Sequence, residues 1–284
     1  MNFTKMHGAG NDYVYIDARN LDEDWPTLCK AISDRHFGIG SDGLILIKDS
    51  DIADLRMQMF NADGSEGEMC GNGIRCFAKY AIEHDIVPRP ETGLTIDTLA
   101  GIRTVVPIYD GNTVTGARVA MGIPRLAPKD IPVSLDPAIT QSKGPILKYA
   151  IQPGDFRLHL TFVSMGNPHA VAFVEDDVDD IPLHDIGPQI QRHPMFPRRV
   201  NFEIVNVLDS SNLKARVWER GSGLTMACGT GACAVAVAAR LHGYIGDDAT
   251  VALPGGELIV RWPGRGEVVL EGPMETVFDS EWAE

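Results

Sequence analysis

Residues 69–80 read MCGNGIRCFAKY, and residues 227–238 read ACGTGACAVAVA. In each stretch a cysteine is followed at once by Gly-x-Gly and then by an apolar segment of helical character. Cys70 and Cys228 lie 158 positions apart, more than half of the 284-residue chain. Two such copies predict two similar halves, with the cysteines facing each other across one active site and the rest of the chain positioning them.

The match extends outward from the cysteines. Gly10-Asn11-Asp12-Tyr13 corresponds to Gly166-Asn167-Pro168-His169 at an offset of 156. Gly43 corresponds to Asn201, and Asn61 to Glu219, at 158. Nearly constant offsets imply a duplicated α/β (α+β) chain with pseudo-symmetric halves. Residues 1–20 read as strand, Gly-rich turn and strand, 21–36 as helical, and 44–48 as a buried strand. Residues 54–60 alternate apolar and polar, as a half-buried strand does. After Gly73 the apolar residues Ile74, Phe77, Ala78, Ala81 and Ile82 mark one helical face. Asp110-Gly111-Asn112 is a hairpin signal. In the second half, 158–164, 200–208 and 213–220 read as strands. The helix over 232–242 is apolar on nearly every side, which predicts burial all round, and Gly243 is its stop. Three strand-like runs follow, at 250–253, 257–262 and 267–270. Pro124, Pro128, Pro132, Pro137 and Pro145 crowd the stretch between the halves. They place the N-terminal half at 1–124 and the C-terminal half at 125–271.

A hydrophobic fraction of 44% with 23% charged residues is that of a soluble globular protein. A net charge of −14 argues against nucleic acid and anionic membrane as partners. The first residues, MNFTKMHGAGNDY, carry no apolar core of a signal peptide. Five cysteines, an odd number, favour reduced thiols in a cytoplasmic setting over a disulfide framework.

A helix N-terminus has unpaired N–H groups and a partial positive charge of roughly half a unit. A cysteine placed there is expected to have a lowered pKa and to supply thiolate near neutral pH. The glycines let backbone N–H groups approach a carboxylate closely. A thiolate and a thiol on opposite sides of a carbon acid can remove a proton from one face and return one to the other, inverting the centre. No pyridoxal signature is present and no cofactor is expected. Cys29, Cys76 and Cys233 read as small buried hydrophobes. Cys70 and Cys76 are turned by about 240° on a helix, and Cys228 and Cys233 by about 140°. Neither pair has zinc-site spacing, so no metal is expected. Gly229 to Ala234 formally fits a dinucleotide fingerprint, but a Gly-Ser-Gly loop separates it from the preceding strand.

Together GAGNDYVYID (8–17), FNADGSEGEMCGNGIRC (60–76), GNPHAV (166–171), VNFEIV (200–205) and WERGSGLTMACGTGACA (218–234) closely resemble the diaminopimelate epimerases. These pyridoxal-independent enzymes interconvert LL- and meso-diaminopimelate for lysine and peptidoglycan precursors. The resemblance runs nearly end to end. It implies two halves, each a mixed sheet wrapped around a central helix, with the active site in their cleft. The last strand, about 272–284, is expected to return to the first half, and the enzyme to be a homodimer. The resemblance makes Cys70 and Cys228 the acid/base pair. Asn11, Asn61, Asn167, Asn201, Glu219 and Arg220 match substrate-binding positions. Gly71-Asn72 and Gly229-Thr230 match the turns that hold the carboxylate. His169 and Glu219 match residues that tune the thiols. Arg220 suits a distal carboxylate and Glu219 an ammonium. The chain departs from many family members at Gly43, where they carry glutamine. Proline or hydroxyproline racemases share this chemistry. They characteristically carry Ser-Pro before the second cysteine, where this chain has Met226-Ala227. They also carry histidine at the position of Asn72. A noncatalytic amino-acid or nucleotide binding protein is the reading from another class.

Overall fold

A computed structural model describes residues 1–135 and 144–283. Pro137 of the proline-rich stretch and the terminal Glu284 lie outside the described residues. The chain forms two compact units, Met1–Ala120 with Glu271–Glu284, and Met121–Leu270.

In the first unit, β1 (Asn2–Gly8) pairs antiparallel with β2 (Asn11–Asp17), which pairs parallel with β3 (Gly43–Lys48). Antiparallel to β3 lies β4 (Leu55–Asn61), which meets the short β5 (Glu66–Gly67) antiparallel and β6 (Leu94–Asp97) parallel. Next come β7 (Arg103–Asp110) and β8 (Thr113–Ala120), both antiparallel, turning at Gly111-Asn112.

The second unit repeats this series. After β9 (Tyr149–Ile151), β10 (Leu158–Ser164) pairs antiparallel with β11 (Pro168–Phe173), and β11 parallel with β12 (Asn201–Val207). Antiparallel to β12 lies β13 (Asn212–Glu219), which meets β14 (Gly223–Thr225) antiparallel and β15 (Asp248–Leu253) parallel. β16 (Gly256–Arg261) closes on β15. β17 (Val269–Pro273) then leads to β18 (Glu275–Glu281), which pairs antiparallel with β1 inside the first unit. The duplication read from the offsets is therefore a duplication of strand pairing, crossover by crossover.

Each sheet wraps a helix. In the first unit α1 (Trp25–Ser33) is the outer helix and α2 (Gly71–Glu83) the inner one. α2 packs on β1, β2, β3, β7 and β8, and every residue from Gly71 to Ala81 is buried. This corrects the reading of a single apolar face. Arg75 and Lys79 are buried as well, because each finds carbonyl and side-chain partners: Lys79 Nζ donates to Val114 O at 2.7 Å and Glu83 Oε1 at 2.6 Å. β3 separates the two helices. Leu44 and Leu46 face Trp25, Cys29 and Ile32 of α1, while Ile45 meets Gly73 of α2.

The second unit places α3 (Leu183–Gln191) outside and α4 (Gly229–His242) inside. α4 is Ala- and Val-rich and buried from Ala232 to Ala239, as its all-round apolar sequence predicts. It ends at Gly243, whose φ of 74° is the left-handed conformation that favours glycine. The sequence reading missed α3, since Gly187 and Pro188 stand in its middle. Pro188 stands inside the helix and removes one intrahelical N–H donor. Gly187 is needed because Trp218 presses on it: a Cβ there would come within 2.6 Å of the ring.

Candidate functional site

Cys70 occupies the N-cap of α2 with φ −124° and ψ 121°, and its Sγ accepts from Gly73 N at 3.4 Å. It is partly exposed, whereas the turn behind it is buried. Gly73 lets the turn pack closely on β3: a Cβ there would meet Ile45 Cδ1 at 2.6 Å, and the Ile45 side chain would have to shift. The Cys70 thiol donates to Asn11 Oδ1 at 3.1 Å. Asn11 is oriented from behind: its Nδ2 donates to Asp42 Oδ2 at 2.6 Å, and Arg35 bridges Asp42 and Asp12 at 2.9 and 2.7 Å. Lys5 pairs with Asp12 at 2.5 Å. Burial pushes the Asp12 carboxyl up, but Arg35 and Lys5 together hold it below the usual carboxylate range. Tyr13 is buried against Cys70 and Asn11. Burial, then the sulfur, push its phenol well above the ordinary value.

The Gly71-Asn72 turn is held from inside by Arg75. Its guanidinium donates to Gly71 O at 2.9 Å and to Asn72 Oδ1 at 3.0 Å. Asn61 is exposed at the end of β4 opposite Gly43, with its Nδ2 donating to Ser65 Oγ at 3.0 Å. The departure at Gly43 has a steric cause: any Cβ there would collide with the Phe60 carbonyl of β4.

In the second unit Cys228 caps α4 with φ −131° and ψ 114°, and its Sγ accepts from Gly231 N at 3.4 Å. Thr230 Oγ1 lies 3.5 Å from the sulfur. Behind Thr230 runs a chain of side chains. Asn167 Nδ2 donates to Thr230 Oγ1 at 3.2 Å, Asn167 Oδ1 meets His169 Nε2 at 3.0 Å, and His169 Nδ1 meets Glu203 Oε1 at 2.7 Å. Asn201 is pinned by donating to Pro168 O and accepting from Arg220 N at 2.8 Å. Glu219 accepts from Thr225 Oγ1 at 2.8 Å. Gln191 of α3 holds the backbone of Glu219 and Arg220 through both carbonyls. The Arg220 side chain is exposed, and among the described residues its guanidinium has no ion-pair partner.

The expectation that the helix N-terminus leaves a thiolate near neutral pH does not hold for Cys228. Burial pushes its thiol well above the ordinary value, with Glu219 and Glu203 adding to the rise, and the bonds from Thr230 and Gly231 N–H offset only part. Cys76, fully buried, is pushed up to about 12 by burial. Cys29 is raised for the same reason, and Cys233 is fully buried. Among the described residues, no cluster of three or more His, Cys, Asp or Glu is placed to hold a metal ion.

Within the first unit the fold gathers Cys70, Asn11 and the Gly71-Asn72 turn; within the second it gathers Cys228, Gly229, Thr230, Asn167, His169 and Glu219 with Asn201 and Arg220. Sequence reasoning missed Glu203, Asp42, Arg35, Gln191 and Tyr13. For Glu203 a signal existed: an acidic residue at the centre of the apolar run VNFEIV must be buried.

A family model described as Diaminopimelate epimerase matches residues 3–127 and 161–277. The diaminopimelate epimerase of Methanococcus maripaludis strain S2 is 47% identical over 283 residues, covering 99% of each chain. That of Desulfovibrio desulfuricans is 48% identical over 287 residues, covering 99% of this chain and 98% of its own. Among solved structures, a PhzF-family phenazine biosynthesis protein of Bacillus anthracis aligns with a TM-score of 0.71 at 16% identity, over 100% of this chain and 99% of its own. A probable proline racemase from Agrobacterium radiobacter aligns with a TM-score of 0.68 at 15% identity, over 99% and 92%. At those identities the two structures share the fold alone.

Proposed function

From the premise that the chain belongs to the diaminopimelate epimerase family, we propose that it interconverts LL- and meso-diaminopimelate without pyridoxal, using Cys70 and Cys228 as a two-base pair. The observation that carries this reading is the same in both units: a cysteine caps a buried inner helix and Gly-x-Gly follows it.

In this reading one sulfur, as thiolate, takes the α-proton. The C–H bond electrons move into the carbon and its carboxylate. The other sulfur, as thiol, delivers its proton to the opposite face, and its S–H electrons stay on sulfur. The two sulfurs exchange charge state at each turnover. The N–H groups of Gly71, Asn72, Gly229 and Thr230 lie in first turns, where no intrahelical acceptor exists. They are placed to hold the reacting carboxylate as it gains charge. Proton transfer by a positioned group supplies about 10²–10⁴-fold, and electrostatic preorganisation supplies the rest. Arg220 takes the distal carboxylate and Glu219 the distal ammonium, with Asn11, Asn61, Asn167 and Asn201 fixing orientation. An ammonium on Glu219 would cancel part of the field that keeps Cys228 protonated, which couples substrate binding to thiolate formation. A homodimer in a reducing cytoplasm belongs to the same proposal; the exposed Val277 and Phe278 of β18 are compatible with a covered surface.

The test is incubation of the purified protein with LL-diaminopimelate in D₂O, without pyridoxal phosphate. Deuterium at the α-carbon together with meso product is expected, and none with proline. Exchange into proline instead would transfer the assignment to a racemase.

A further inference from the structure

Glu203 is the buried acid of the second unit, 0% exposed. The pleat of β12 aims it at α4, where a Cβ on Gly231 would come within 3.1 Å of its Oε1. Oε1 meets His169 Nδ1 at 2.7 Å, and Oε2 is buried with no hydrogen-bond partner among the described residues. A carboxylate in such surroundings is costly, burial pushes the carboxyl up, and the uncharged acid has an O–H to give to its one partner.

The bonds beyond it run in one direction. Asn167 gives its Nδ2 hydrogen to Thr230 Oγ1, which leaves Oδ1 facing His169 Nε2. An amide oxygen only accepts, so Nε2 carries the hydrogen. Thr230 Oγ1, already accepting from Asn167, keeps its own hydrogen for Cys228 Sγ. We propose that Glu203 is a positioning residue for proton transfer at Cys228: as a carboxylic acid it donates its Oε1 hydrogen to His169 Nδ1, which leaves the ring hydrogen on Nε2 and so sets the direction of the chain that presents the Thr230 hydroxyl hydrogen to the sulfur. The proposal rests on the reading that Cys228 is one of the two acid/base groups. A donor on sulfur favours the thiolate and works against the burial that disfavours it. Without a donor to Nδ1, the ring gains a state with its hydrogen there. The bare Nε2 then opposes Asn167 Oδ1, the amide turns over, Thr230 gives its hydrogen to Asn167, and Cys228 loses its donor.

Glu203→Gln and Glu203→Leu test the hydrogen given to Nδ1. Glutamine can still donate to Nδ1 through its amide N–H, and leucine cannot. Glu203→Leu is expected to turn over about tenfold more slowly than Glu203→Gln, the loss of about one hydrogen bond. Because Glu203 acts through Thr230, Glu203→Leu with Thr230→Val should be no slower than Thr230→Val alone. Equal rates for the Gln and Leu variants, or losses that multiply in the double variant, overturn the proposal. A measurement on the unaltered enzyme does not depend on how the variants fold: ¹⁵N NMR of labelled histidine should find Nε2 of His169 protonated without substrate, and a bare Nε2 overturns the proposal. Cys228→Ala separates the two levels. A variant that still epimerises fails the underlying reading, whereas an inactive one with multiplying losses fails this proposal alone.

Discussion

Cys228 sits between opposing influences. The first turn of α4 offers it an N–H and a hydroxyl, while burial, Glu219 and Glu203 act against its thiolate. The linear sequence displayed the cap, because Cys-Gly-x-Gly before an apolar run is a local pattern. It displayed the acids less directly: Glu219 came as a thiol-tuning residue only through the family resemblance and Glu203 only as an acid among apolar residues, because both reach the sulfur through strand pairing. If Glu219 raises the Cys228 pKa, removing its charge lowers that pKa, and thiolate appears at lower pH. Glu219→Gln keeps an acceptor for Thr225 and removes the charge. We expect the pH midpoint for iodoacetamide alkylation of Cys228, followed by peptide mass spectrometry at low salt, to move downward in this variant. A midpoint that stays or rises would show that Glu219 does not act on the sulfur. The distal site is tested at the same scale. Arg220→Met should cost about 1.5–3 kcal/mol of transition-state stabilisation with diaminopimelate, roughly 10- to 150-fold in kcat/KM. The loss should be smaller for an analogue lacking the distal carboxylate, and equal losses would make Arg220 structural.

Among the elements, periodicity served α4 best, because a helix apolar on every side has one physical solution. It understated α2. Arg75 and Lys79 read as the polar side of an amphipathic helix, yet the sheet closes over them because Gly71, Asn72, Val114 and Glu83 supply oxygen partners. α3 went unread because its Gly187-Pro188 pair carries the local signature of a turn, and its stability comes from packing: Leu183, Ile186 and Ile190 join Phe162, Phe196 and Phe202 in one core. The same packing reverses an ordinary expectation. Gly to Ala inside a helix usually gains about 1 kcal/mol. At Gly187 the new methyl would stand 2.6 Å from the Trp218 ring, and overpacking a rigid neighbour costs about 1–3 kcal/mol. The clash should win. Gly187→Ala is expected to lower the melting temperature by a few degrees, at about 2–4 °C per kcal/mol, and to displace the backbone that Gln191 holds at Glu219 and Arg220. A raised melting temperature would show that Trp218 moves aside freely.

For the molecule as a whole, the constant offsets carried the most information. Matching positions in the two halves proved to be matching positions in two sheets with the same pairing order, so strand order, crossover and inner helix all recur. The halves differ in what surrounds each thiol. Cys70 bonds an asparagine braced by Asp42 and Arg35. Cys228 bonds a threonine at the end of the Glu203 chain. A two-base reaction at one carbon needs both surroundings at once, and the duplication places one thiol on each half of the same chain. Cys70→Ala and Cys228→Ala should therefore each lose epimerisation by at least the factor of about 10²–10⁴ that a positioned proton donor supplies. Serine variants should retain only a trace, because an alcohol is a far weaker acid than a thiol. Mixing the two alanine variants distinguishes a pair within one chain from a pair shared between copies. Co-refolded, they contain every group needed, but never both Cys70 and Cys228 on one chain. No recovery is expected when they are refolded together and assayed with LL-diaminopimelate. Recovery toward about a quarter of the activity of the unaltered enzyme, the share of sites expected from random pairing, would mean that each site draws its two cysteines from different copies.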